Sequence, residues 1–204
     1  EEFLFAKRQE ARQSLGLGEE PLVVSCWGSL GAREMNKKIA QFMKCECEEN
    51  TPFHHIHATG SFGWRWMPDY VREQGVDLAA QPRIEMREYI YDMPQVLAAA
   101  DLIICRAGAA TIAEVCASGT PCIMVPSPNV TGNHQEKNAR VLERSGAAAV
   151  VREADCDGKS LYETAKSILS DAGRMRAMRA SARDMAVVDA AERIYQTALD
   201  LAKH

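Results

Sequence analysis

Residues 102–126 read LIICRAGAATIAEVCASGTPCIMVP, and this stretch decides the fold. Two short apolar runs, 102–105 and 121–125, flank a helical pattern at 111–118. Runs that are near-continuous in Val, Ile, Leu and Cys suit parallel strands covered on both faces. A strand, a helix and a strand in so few residues predict one right-handed crossover.

The same alternation extends in both directions. Toward the amino terminus, strands are predicted at 21–26, 53–58 and 83–86, with helices at 32–47, 69–74 and 92–100. Toward the carboxyl terminus, a helix at 134–145 precedes a sixth strand at 147–151. Helices at 159–169 and 172–203 follow, the latter as two pieces. The predicted fold class is α/β: a Rossmann-like, doubly wound parallel sheet of about six strands. Residues 1–204 read as a single domain, with 172–204 as a helical tail.

Composition narrows the function classes. The chain has 204 residues, a formal net charge of −4 and 47% hydrophobic residues. Its charges are dispersed, so the concentrated basic face that nucleic-acid phosphates require is absent. No apolar run approaches the roughly 20 residues needed to span a bilayer. The seven cysteines are an odd number, and Cys26, Cys105 and Cys122 lie in strand-like runs, which points to reduced, buried thiols. Cys45 and Cys47 are too closely spaced for a usual zinc pair. The chain opens on Glu1-Glu2 without an initiator Met, the pattern of an excised domain.

Three strand-to-helix loops carry the candidate chemistry. The first, Trp27-Gly28-Ser29-Leu30-Gly31-Ala32, has glycines that let a ligand approach the backbone and a hydroxyl at Ser29. Without a full dinucleotide fingerprint, it reads equally as a tight turn. The second, Arg106-Ala107-Gly108-Ala109-Ala110-Thr111, leads to Glu114. That carboxylate either closes a capping box with Thr111 or accepts the two hydroxyls of a ribose. The third contains Asn133, His134, Gln135 and Asn138, groups with donors and acceptors suited to sugar hydroxyls. The bland alternative is a capped helix with a solvated face. In a doubly wound sheet all three loops emerge on one edge. Their convergence predicts a site for a nucleotide-diphosphate sugar.

His54, His55 and His57 alternate along a strand. A structural role is expected for them, since no carboxylate partner is evident nearby. Trp64 and Trp66 are expected to cover the sheet.

The stretches GSLGAR at 28–33, HATG at 57–60, EYIYDMPQVLAAADLIICRAGAATIAEVCASGTPCIMVP at 88–126, NHQEKNA at 133–139 and GAA at 146–148 carry a resemblance. They resemble the carboxy-terminal domain of the bacterial peptidoglycan N-acetylglucosaminyltransferases, glycosyltransferase family 28, in the two-domain GT-B class. The resemblance covers nearly the whole chain. Trp27 stands where the family commonly has Gly, Leu30 where it often has Gln, and His134 where it often has Gln.

The resemblance implies an inverting, metal-independent enzyme that moves GlcNAc from UDP-GlcNAc to a polyprenyl-diphosphate-linked muramoyl-peptide. The absence of an Asp-x-Asp motif agrees with that, and no cofactor is implied. It places Gly28, Ser29 and Gly31 at the diphosphate and the Ile90 backbone at uracil. Arg106, Gly108, Ala109, Ala110 and Thr111 would lie along the donor, and Glu114 on the ribose. Asn133, His134, Gln135 and Asn138 would lie at the sugar. It further implies a separate amino-terminal domain holding the acceptor and the general base, and a cytoplasmic enzyme peripheral to the membrane. Two alternatives stay open: a related UDP-sugar transferase (a glycolipid synthase or a dolichol-linked GlcNAc transferase subunit), or a non-catalytic nucleotide-binding domain. A redox or metal protein is a further reading, prompted by the cysteines and histidines.

Overall fold

The structure is a computed structural model and describes residues 2–202. Two short helices, α1 (Glu2–Phe5) and α2 (Arg8–Ser14), precede β1 (Leu22–Cys26). The chain continues through α3 (Arg33–Glu49), β2 (His54–Ala58), α4 (Ser61–Trp64), α5 (Met67–Glu73) and β3 (Ile84–Arg87). Next come α6 (Met93–Ala99), β4 (Leu102–Cys105), α7 (Ala109–Ser118), β5 (Cys122–Met124), α8 (His134–Ser145) and β6 (Ala148–Val150). Three helices end the described chain: α9 (Gly158–Leu169), α10 (Ala172–Asp184) and α11 (Ala190–Ala202).

The strands form one parallel sheet in the order β3-β2-β1-β4-β5-β6. The chain starts at the centre, winds outward to β3, returns to β4 and winds outward again. This bears out the predicted doubly wound architecture. The order reverses between β1 and β4, where a crevice opens beyond the carboxyl ends of the strands.

Successive side chains along each strand point to opposite layers. Val24, Ile56, Ile103 and Met124 pack toward Val96, Leu97, Val115 and Leu142 on α6, α7 and α8. Val23, Ile104 and Ile123 pack toward Met35, Ile39, Phe42, Leu161 and Tyr162 on α3 and α9. Phe42 is fully buried and meets Tyr162 edge-on at 5.4 Å, so truncating it to Ala would cost about 3–5 kcal/mol.

Several elements differ from the sequence expectation. Helices α1 and α2 were not predicted; α2 (RQEARQS) buries only Ala11, so no apolar stripe marks it. It is held by Arg8 and Arg12, which with Arg179 of α10 surround Asp101 at 2.7, 3.3 and 3.2 Å. The predicted tail is two helices, as anticipated, and no residue of α11 is buried. The last positions of that prediction, 203 and 204, lie outside the described residues. All seven cysteines are free thiols.

Candidate functional site

Four loops meet at the β1/β4 switch point and enclose a pocket of about 320 Å³. Gly28 and Ser29 follow β1; Tyr89, Ile90 and Met93 follow β3. Arg106, Gly108, Ala110, Thr111 and Glu114 follow β4, and Gln135 follows β5. Nine of the residues singled out from sequence line this one pocket: Gly28, Ser29, Ile90, Arg106, Gly108, Ala110, Thr111, Glu114 and Gln135.

The remaining five stand around it. Gly31 has φ +78° and faces away: an added Cβ would lie 2.0 Å from Thr59 O. Its role here is to let the loop after β1 press against that after β2. Ala109 is exposed at the start of α7. Asn138 donates to Ala107 O at 3.2 Å and so ties α8 to the loop after β4. His134 is exposed, with Nδ1 3.0 Å from Thr131 O. Asn133 lines a neighbouring recess of about 550 Å³ with Pro126, Ser127 and Arg152. That recess is larger, but the convergent loops and the free polar groups belong to the smaller pocket.

The polar groups of the pocket are left available in specific ways. Helix α7 begins at Ala109 with Gly108 as its N-cap and no side-chain cap, so its first N–H groups are open to an anion. This corrects the capping-box reading. Thr111 is the third residue of the helix and Glu114 lies in its second turn, where it cannot cap the start. Glu114 makes no hydrogen bond or ion pair among the described residues, and burial raises its carboxyl above the usual range. Ile90 is buried, yet its backbone N–H and C=O take no partner among the described residues. Gln135 accepts a hydrogen bond from Ser127 N–H at 2.9 Å, which fixes its amide and leaves Nε2 as a donor.

Arg106 is braced rather than free. It pairs with Glu153 at 2.6 Å, donates to Val125 O at 3.1 Å and lies over the Trp27 ring at 5.6 Å. Cys26, beside them, is no nucleophile at neutral pH: burial, with help from the Glu114 charge, pushes its thiol up to about 12.

Sequence reasoning missed Tyr89 and Met93 as parts of this site and Glu153 as the partner of Arg106; it had Trp27 only as the start of the first loop. It also missed the partner of the histidines. His55 Nδ1 lies 2.9 Å from Glu46 Oε2, His55 Nε2 2.8 Å from Ser25 Oγ, and Ser25 Oγ 2.7 Å from His57 Nδ1. The expectation of no nearby carboxylate was therefore wrong. Glu46 sits on the apolar face of α3 with Met35, Ile39 and Met43, and a carboxylate on such a stripe was the available signal. The structural role expected of these residues fits this buried chain. Among the described residues no group of His, Cys, Asp and Glu is arranged to hold a metal. Trp66 packs as cover, as expected, whereas Trp64 is 41% exposed.

A doubly wound half-molecule with its cleft at the switch point is the architecture of GT-B glycosyltransferases. The crystal structure of Acinetobacter baumannii MurG superposes on 96% of this chain with a TM-score of 0.76 at 26% identity, using 54% of its own length. The description "glycosyltransferase family 28 C-terminal domain" matches residues 22–194, and the chain belongs to that family. Two curated relatives are each named as UDP-N-acetylglucosamine–N-acetylmuramyl-(pentapeptide) pyrophosphoryl-undecaprenol N-acetylglucosamine transferase. That of Acetivibrio thermocellus is 39% identical over 204 residues, all of this chain and 54% of the relative. That of Caldanaerobacter subterraneus subsp. tengcongensis is 41% identical over 197 residues, 96% of this chain and 53% of the relative. The chain thus spans about half the length of the relatives it matches. Among the described residues no helix is long and apolar enough to cross a membrane.

Proposed function

We propose that this chain binds UDP-GlcNAc as the donor half of an inverting, metal-independent glycosyltransferase. The acceptor is a polyprenyl-diphosphate-linked muramoyl-peptide of peptidoglycan synthesis. The observation that carries this reading is the convergence of Ser29, the open start of α7, Glu114 and Gln135 on one pocket.

Each group has a task in it. The unpaired Ile90 backbone offers uracil one donor and one acceptor, and the Tyr89 ring is beside it to cover the base. Glu114 accepts from both ribose hydroxyls. Gly28, Ser29 and the N–H groups of Gly108, Ala109, Ala110 and Thr111 surround the diphosphate, with the Arg106 cation adding to them. Gln135 reads sugar hydroxyls directly. His134, Asn133 and Asn138 shape that end of the cleft, and Gly31 holds the first loop in place.

The reaction follows from what grows in the transition state. An acceptor hydroxyl attacks the anomeric carbon as the bond to the diphosphate breaks, so negative charge accumulates on UDP. Helix-start N–H groups and the Ser29 hydroxyl offset that charge without reorganising, the most effective form of such stabilisation, and the Arg106 cation adds to them in competition with Glu153. The general base and the acceptor pocket are assigned to the part of the relatives that this chain does not span. The enzyme would then act at the cytoplasmic face of the membrane.

Calorimetric titration with UDP-GlcNAc, UDP-glucose and UDP tests the donor. UDP-GlcNAc should bind most tightly, and Gln135→Ala should erase its advantage over UDP. Equal affinity for the three in the native chain would contradict sugar reading. Transfer should appear only when a protein spanning the relatives' other half is added; transfer by this chain alone would overturn its assignment as a donor half.

A further inference from the structure

Arg106 joins two side chains that the donor reading leaves without a task, Trp27 and Glu153. Trp27 follows β1 directly, is 5% exposed and packs with Met35 and Val125 in the layer of α3 and α9. Its ring carries the Arg106 guanidinium at 5.6 Å, and both residues line the donor pocket. Glu153 meets the same guanidinium from the turn after β6 and lines the neighbouring recess.

Two polar atoms around this guanidinium are buried and lack a hydrogen bond among the described residues: Trp27 Nε1 and Glu153 Oε2. The second is the atom 2.6 Å from Arg106 Nη1. That contact is close in charge but outside hydrogen-bond alignment, whereas the same Nη1 donates to Val125 O at 3.1 Å. A buried donor and a buried acceptor, each left unpaired, both cost stability, and native proteins rarely keep such groups without a use for them. A change of partners would satisfy both.

Anchoring decides which member can move. The Trp27 ring is locked in the core. The main chain at Glu153 is tied to α3, because Lys38 Nζ donates to Glu153 O. Arg106 is the long, flexible member, and its side chain is 14% exposed where it reaches the pocket. A diphosphate in that pocket attracts the guanidinium away from Glu153. The Glu153 carboxylate, 19% exposed, is then left mostly buried without its cation, a costly state. Trp27 Nε1–H is the donor against the same guanidinium that has no acceptor of its own. We propose that Trp27 is a positioning residue of the donor site: when a nucleoside diphosphate draws Arg106 off Glu153, the indole N–H donates to the Glu153 carboxylate in its place. The ring face supports the guanidinium as it turns, and the N–H keeps Glu153 from recapturing it. The exchange rests on the donor reading and deepens it, since the Arg106 cation is then delivered by binding.

The test follows the indole N–H by nitrogen–proton correlation NMR, with UDP as the probe and calorimetry in parallel. The chain has three tryptophans, so Trp64→Phe with Trp66→Phe, both outside the pocket, leaves Trp27 as the sole indole signal. Saturation with UDP should move that signal downfield, with a midpoint equal to the calorimetric Kd. Glu153→Ala should bind UDP at least as tightly and show no such move. Trp27→Phe keeps an aromatic face and lacks the donor; it should weaken UDP about three- to tenfold, the size of one typical hydrogen bond. In the Glu153→Ala background the same substitution should cost nothing, whereas a purely packing role would weaken binding equally in both backgrounds. UDP binding with an unmoved indole signal, the same move in Glu153→Ala, or equal losses from Trp27→Phe in both backgrounds would overturn the exchange alone. Absence of any heat with UDP would overturn the donor reading, and the exchange with it.

Discussion

At the scale of single residues, the site is governed by which charges are already satisfied. Glu114 has no partner among the described residues, while Arg106 is held by Glu153 at 2.6 Å. A bound diphosphate must compete with Glu153 for that guanidinium. Glu153→Gln is therefore expected to tighten UDP binding about two- to fivefold by calorimetry, the size of a partly screened charge interaction. Weaker binding would instead make Glu153 the residue that aims Arg106. The histidine chain has its own signature. His57 is buried, and its pKa is lowered well below the ordinary value by burial and by His55. A lowered histidine contributes stability above the unfolded value, and that stability is lost as pH falls toward the folded one. Burial acts oppositely on Glu46, raising its carboxyl, so the comparison with a variant isolates His57. Below about pH 6.5 the native chain should lose up to roughly 1.4 kcal/mol more per pH unit than His57→Asn, measured by urea unfolding across pH. Equal slopes would contradict the assignment. Ser29, Glu114 and Gln135 were legible in the sequence because each lies in a strand-to-helix loop or in the first turns of the helix after it, and topology sends such positions to one edge. Glu153 was not, because it reaches Arg106 from a single turn beyond β6 that carries no local pattern.

At the scale of elements, strands and crossover helices were legible because parallel strands buried on both faces are continuous apolar runs. Boundaries were less so. Helix α7 starts two residues before the Thr111 that resembles a capping residue, because Gly108 takes the N-cap and small Ala109 and Ala110 permit an uncapped start. That shift turns Glu114 from a cap into a pocket wall. The turn after β1 depends on two left-handed glycines with different surroundings. Gly28, at φ +82°, has no atom near an added Cβ, whereas at Gly31, φ +78°, the Cβ would meet Thr59 O at 2.0 Å. Gly28→Ala should cost only the backbone penalty, about 1–2 kcal/mol. Gly31→Ala adds a clash with a fixed carbonyl, for about 2–5 kcal/mol in all. Chemical denaturation of the two variants separates them; equal losses would mean that the loops after β1 and β2 are not in register.

At the scale of the whole molecule, six strands and two helical layers place one cleft where the winding reverses. The outward-facing side chains Ile194, Tyr195 and Leu201 of α11 are left exposed. Residues at 28–29, 90, 106–114 and 135 are distant in sequence and become neighbours only through the order β3-β2-β1-β4-β5-β6. The family resemblance carried the donor identity further than residue patterns alone, which reached a nucleotide-diphosphate sugar and no more. The most direct test of the central claim is calorimetric titration of UDP into the native chain and into Glu114→Ala. Removing a charged acceptor of two ribose hydroxyls should cost about 1.5–3 kcal/mol, roughly ten- to hundredfold in affinity. Native binding should also weaken on acidification at a pH above the ordinary carboxylate value, because burial raises the Glu114 carboxyl. Undetectable binding of UDP to the native chain, or full affinity in Glu114→Ala, would contradict the account.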